Sequence, residues 1–151
     1  MAALPSIERI IQTFELLESW EDRYGYIIEL GRKLPPLGPD AKIAENRVHG
    51  CVSQVWLTCQ ACPLKPACLN FEADSDALIV RGLIAIVLAI YDGKELDEIV
   101  ELDSKPIFAK LGLDSHLSPS RANGFAAMVK RIKTLAAAAQ KTEKKEAANP
   151  R

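Results

Sequence analysis

From Leu78 to Leu88 the chain reads Leu-Ile-Val-Arg-Gly-Leu-Ile-Ala-Ile-Val-Leu, apolar on nearly every side of a helix except at Arg81. A helix with that composition is stable in water only when other elements surround it. The apolar stretch from Ala77 to Tyr91 is interrupted by Arg81 and Gly82. It is also shorter than the roughly 20 residues that a bilayer span needs. It is therefore expected at the centre of a water-soluble core, with Asp74-Ser75-Asp76 capping its N-terminus and complementing its dipole. At 151 residues and 48% hydrophobic composition, the chain is long enough to bury such a core as one domain.

The covering elements are legible on both sides. Ile7, Ile10, Ile11, Phe14 and Leu17 follow Pro5-Ser6 at helical spacing, and a second helical pattern runs from Glu21 to Lys33. Leu34-Pro35-Pro36-Leu37-Gly38-Pro39 then enforces an irregular connection. β-Branched and aromatic residues predict a strand from Val48 to Thr58 and a second from Cys68 to Ala73, joined as a hairpin whose tip holds Pro63 and Pro66. Short helices are expected over Leu96–Leu102 and Lys105–Leu111. Ser118-Pro119-Ser120 opens a last long helix with Phe125, Met128, Val129, Ile132 and Leu135 on one stripe. The order predicts an α+β domain, a small antiparallel sheet with helices packed on one face, over residues 1–140. Residues 141–151 carry no apolar anchor and are expected to be a disordered polar tail.

A formal charge of −1 supplies no basic field for nucleic acid, and the few aromatics are not interleaved with Lys and Arg. Residues 1–6 lack the basic and apolar regions of a secretory signal, so a cytoplasmic location is expected. In that compartment the four cysteines point to reactive or metal-binding thiols rather than a disulfide framework.

Among them, Cys51 stands out because it follows Gly50 ahead of the β-prone segment. The glycine permits a sharp bend that presents the thiol. In extended chain His49 would share a face with Cys51, where an imidazolium favours the thiolate. The opposing reading of Cys51 is a small buried hydrophobe, and that of His49 an exposed strand residue. Arg121 lies in the first turn of the last helix, where a cation opposes the helix dipole. It is a candidate contact for a thiolate or a partner, with a salt bridge to a nearby acid as the alternative.

Several spaced motifs resemble the SufE family of sulfur acceptors, which includes CsdE. They are Tyr26-Ile27-Ile28-Glu29-Leu30-Gly31 with Leu34-Pro35, Asn46-Arg47-Val48 with Gly50-Cys51, and Ser53-Gln54-Val55-Trp56. Asp74-Ser75-Asp76-Ala77 with Val80-Arg81-Gly82, and Leu117-Ser118-Pro119-Ser120-Arg121 with Gly124, continue the series. The resemblance covers residues 4–139 and implies a fold shared with IscU-type scaffolds. It also implies a partner, a PLP-dependent cysteine desulfurase of the SufS or CsdA kind. Cys51 would take persulfide sulfur from that enzyme, stimulate its turnover, and pass the sulfur to a downstream iron–sulfur scaffold. The chain itself would need no cofactor and would act as a carrier rather than an enzyme.

Cys59, Cys62 and Cys68 fall outside those motifs. Their spacing suits a metal-thiolate site, but three thiolates leave a structural zinc site one ligand short. About 26 Å of extended strand would hold Cys51 away. A reversible Cys59–Cys62 link or free thiols are the other readings. Two alternatives for the whole chain follow: an iron–sulfur scaffold or metal-binding protein using these cysteines, or a cysteine hydrolase with His49 or His116 as base.

Overall fold

The computed structural model describes residues 4–148. Its elements run α1 (Ile7–Leu16), α2 (Trp20–Lys33), two 3-10 turns (Pro39–Ala41 and Ala44–Asn46), β1 (Val55–Cys62) and β2 (Lys65–Ser75). They continue with α3 (Leu78–Tyr91), β3 (Lys94–Glu95), α4 (Leu96–Glu101), α5 (Lys105–Lys110), α6 (Leu113–His116) and α7 (Pro119–Ala148). The strands form one antiparallel sheet in the order β1-β2-β3. This is the expected α+β arrangement. Ser6 and Ser19 cap α1 and α2 by accepting hydrogen bonds from the N–H groups of Arg9 and Asp22.

α3 is the buried centre. Gly82 through Leu88, Ile90 and Tyr91 are all excluded from solvent. Its approach to α2 depends on the absence of a side chain at Gly82, where a Cβ would run into the carbonyl oxygen of Ile27. Val55 and Leu57 of β1, with Leu69, Phe71 and Ala73 of β2, complete one wall. Phe125, Met128, Ile132 and Ala136 of α7 form another.

The acids ahead of α3 do not cap it, contrary to the sequence expectation. Ala77 holds the N-cap position without a side-chain bond, and Ser75 Oγ accepts the Ala77 N–H instead. Asp74 is 1% exposed and turns inward. It accepts hydrogen bonds from the backbone N–H groups of Leu37 (3.0 Å) and Ser75 (2.8 Å) and pairs with Arg81 and Lys42. Arg81 in turn donates to the carbonyls of Gly31 and Leu34. A buried carboxylate needs all of these donors, which makes it a tertiary tie between the α2 exit, β2 and α3 rather than a local cap.

Other boundaries differ from expectation. β1 begins at Val55, not Val48, because residues 48–54 form a closed loop. β2 extends from Lys65 to Ser75, and the hairpin turn is Pro63-Leu64, with Pro66 already in the strand. α7 continues through Ala148, beyond the expected end at residue 140. Residues 1–3 of the expected domain and 149–151 of the expected tail lie outside the described residues. Among the described residues, no helix is long and apolar enough to cross a membrane.

Burial alone raises the Asp74 pKa, but the two backbone N–H groups, Arg81 and Lys42 outweigh it and hold the group below the ordinary carboxylate value. Its folded pKa being the lower one, the ionised tie stabilises the fold at neutral pH. That stability is lost as pH falls below the unfolded carboxylate value, about 4, towards the folded one. Asp74→Ala is expected to cost about 3–5 kcal/mol at neutral pH, since it strands Arg81. Urea unfolding should show that loss, and the difference between wild type and variant should shrink on acidification below about pH 4. An unchanged urea midpoint at neutral pH would refute the role of the tie.

Candidate functional site

Cys51 lies on a short loop fastened at its base. The Val48 N–H donates to the Val55 carbonyl at 2.8 Å, and Arg47 pairs with Trp56 as an isolated antiparallel bridge. Gln54 and Asp76 close the second side: the Gln54 N–H donates to Asp76 Oδ1 at 3.0 Å, and the Asp76 N–H returns to the Gln54 carbonyl at 3.3 Å. Between these ties, His49-Gly50 forms a turn with Gly50 at φ +98°. Any other residue would be strained at that angle. A Cβ there would also press on Ala127 of α7, at 3.2 Å from its Cβ.

The loop thus rests across α7. Cys51 is half-buried, and its Sγ lies 3.7 Å from the Gly124 carbonyl, a weak thiol contact. The thiol faces a cavity of about 300 Å³. Ile79, Val80, Leu83, Phe125 and Met128 supply its apolar wall, while Ser53, Ser118, Ser120 and Arg121 supply polar groups. Burial pushes the Cys51 thiol pKa up, and the positive charge of Arg47 offsets only part of that effect. The resting thiol is consequently protonated at neutral pH.

Arg121 is exposed and lines this same cavity, so the fold brings it together with Cys51. Its backbone N–H donates to Ser118 Oγ at 3.3 Å, the local cap that starts α7. None of the described ion pairs includes Arg121. His49 is placed differently. The turn at Gly50 removes the extended geometry that would have aligned it with Cys51, and His49 lines a separate groove with Arg47, Lys130 and Arg131. His116 stacks on Trp20 at 3.8 Å between ring centroids, and its Nδ1 is 2.9 Å from the Gly112 carbonyl oxygen. Neither histidine lines the Cys51 cavity, which leaves the hydrolase reading without a base beside its nucleophile.

The hairpin cysteines correct a second expectation. Cys62 is joined to Cys68 as a disulfide, with Cα atoms 5.3 Å apart, and Cys59 remains a half-buried free thiol. A Cys59–Cys62 link fails because residues three apart on a strand are separated by about 10 Å. The hairpin carries Cys68 across to Cys62 instead. With two of the three thiols joined, the converging thiolates that a metal or cluster reading requires are not there. Among the described residues, no group of three or more His, Cys, Asp or Glu side chains is gathered.

Sequence reasoning missed Asp76 as the lock on the Cys51 loop and Arg47 as the charge acting on its thiol. Asp76 was hidden because an acid before a helix reads as a cap. Arg47 is four residues from Cys51 and meets it only through the loop's reversal.

A sequence model of the SufE family, described as an Fe-S metabolism associated domain, matches residues 8–136. An uncharacterized SufE-like protein of Rhizobium meliloti (strain 1021) is 50% identical over 132 residues, covering 87% of this chain and 94% of the relative. Another, from Rhizobium etli, is 52% identical over 132 residues, covering 86% and 88%. The solution structure of a hypothetical protein from Thermus thermophilus superposes with a TM-score of 0.71 at 18% identity. That match covers 93% of this chain and 99% of that one, a likeness of fold. With its motifs, its α+β fold and its matched relatives in agreement, the chain belongs to the SufE family, whose domain is associated with Fe–S metabolism.

Proposed function

We propose that the protein accepts sulfur onto Cys51 from the persulfide of a PLP-dependent cysteine desulfurase, stimulates that enzyme by relieving it of product, and delivers the sulfur for iron–sulfur cluster assembly. The observation that carries the reading is the placement of Cys51: a thiol on a glycine-hinged loop, resting in an apolar-walled cavity with a guanidinium at its rim. In this reading the chain is a carrier beside its partner enzyme in the cytoplasm and holds no cofactor.

The step is thiol exchange. The Cys51 thiolate attacks the terminal sulfur of the donor persulfide, a new S–S bond forms on Cys51, the donor's S–S bond breaks, and the donor cysteine leaves as a thiolate. No net oxidation occurs. The cavity suits both ends of the cycle. Its apolar wall excludes water from a bound persulfide, while the raised thiol pKa keeps the idle acceptor unreactive towards small electrophiles.

Activation then requires the loop to leave this environment. The described backbone bonds hold residues 48, 54 and 55 at the base, and none engages residues 49–53 at the tip. A pivot at Gly50 would carry Cys51 out of the cavity without unfastening β1. Arg121 at the rim is placed to stabilise the thiolate as it emerges or to hold the donor.

Cys51→Ser should abolish stimulation of L-cysteine turnover, read as alanine or sulfide release, without lowering thermal stability. Cys59→Ser should retain stimulation. Peptide mass after reaction should show labile sulfur on the Cys51 peptide alone, and a Cys51→Ser variant that stimulates fully would end the acceptor reading. Separately, the pH–rate profile for iodoacetamide alkylation of Cys51 should rise with an apparent pKa above the ordinary thiol value. Alkylation already complete at neutral pH, at the rate of a low-pKa thiolate, would contradict the protected resting state.

A further inference from the structure

On the side of the Cys51 loop away from its cavity, a groove of about 500 Å³ runs between residues 47–50 and the outer face of α7 from Asn123 to Thr134. Arg47, His49, Lys130 and Arg131 line it, and no Asp or Glu does. In a chain whose formal charge is −1, this is a local concentration of positive charge. The cations are not spent on internal pairs: the described ion pairs are Arg32–Glu29, Lys42–Asp74 and Arg81–Asp74. Arg131 donates to the Glu45 carbonyl at 3.4 Å through one terminal nitrogen, while its buried Nε has no partner among the described residues. Lys133, one helical turn from Lys130, is by contrast consumed by the carbonyls of Val100 and Leu102.

We infer that this groove docks a carboxylate-rich segment of the protein that donates sulfur to Cys51. The donor's identity rests on the acceptor reading above; the acidic chemistry of the segment rests on the groove. From Asn123 to Thr134 the helix advances about 16 Å, which matches about five residues of extended peptide. A single phosphate would leave most of the volume unfilled. The groove is also continuous with the reactive loop, since its wall is formed by His49 and Gly50, the two residues before Cys51. An acidic segment seated there lies against the loop's hinge, beside the two residues that precede Cys51. It pairs with guanidinium groups that have no acidic partner among the described residues.

The test is the affinity of the chain for a PLP-dependent cysteine desulfurase, measured by calorimetry at low and high salt, with Lys130→Glu and Lys130→Gln beside the wild type. Lys130 is exposed, so both variants should fold. The dissociation constant should rise about tenfold for Lys130→Glu and less for Lys130→Gln, and salt should weaken the wild type in the same direction. In turnover assays the loss should appear in the half-saturating concentration rather than in the plateau. The same Kd series in a Cys51→Ser background, which cannot take sulfur, separates the two readings. A charge-dependent Kd together with a Cys51 that never gains sulfur would end the acceptor reading and leave the groove standing. Normal sulfur loading of Cys51 with a Kd indifferent to charge and salt would overturn the groove alone, and no measurable complex would overturn both.

Discussion

A single buried carboxylate organises this fold. Asp74 sits where three parts of the chain must meet: the proline-rich exit from α2, the end of β2 and the start of α3. Its oxygens satisfy the Leu37 and Ser75 N–H groups that would otherwise be orphaned in the interior, and Arg81 carries the connection on to the Gly31 and Leu34 carbonyls at the end of α2. A charge this deeply placed is costly unless every lone pair is met. The geometry of the α2–β2–α3 junction is consequently specified as a unit and does not tolerate gradual adjustment.

The Cys51 loop inherits that order. Asp76, two residues after the buried acid, is held at the mouth of α3 by the same turn and there pairs both ways with Gln54. The base of the Cys51 loop is therefore anchored beside the Asp74 junction, whereas its tip rests on α7 next to Ala127 and Gly124. The base keeps the cavity and the groove in register on either side of α7. The apolar-walled cavity raises the thiol pKa on one side of the loop, and the cationic groove gathers charge on the other.

Much of this was legible in one dimension. The all-apolar run around Leu83–Leu88 announced a central helix, the amphipathic stripes announced its cover, and the Ser-Pro start of the last helix was correctly placed. Gly50 before a β-prone segment singled out Cys51 as a presented thiol, whereas the structure tucks it half-buried against Gly124 of α7. The failures share one cause. Asp74 and Asp76 looked like helix caps, the segment from Val48 looked like strand, and Cys62 looked closer to Cys59 than to Cys68, because each was judged by its neighbours in sequence. For the acids and for Cys62 the deciding partner came from another element or another strand: Leu37 and Arg81 for Asp74, Gln54 for Asp76, Cys68 across the hairpin for Cys62.

The amino-acid sequence by itself determined the helices α1, α2, α3 and α7, the β1–β2 hairpin and the central position of α3, since these follow from periodicity, burial and backbone preference within a few residues. Tertiary structure alone decided that Arg121 shares a cavity with Cys51, that His49 faces the opposite groove, and that Arg47 and Arg131 converge without an acid between them. The reason is the reversal at Gly50 laid across α7. A one-residue change of backbone hand redirects every side chain after it, and which surface then receives each side chain depends on a helix that begins only at Pro119.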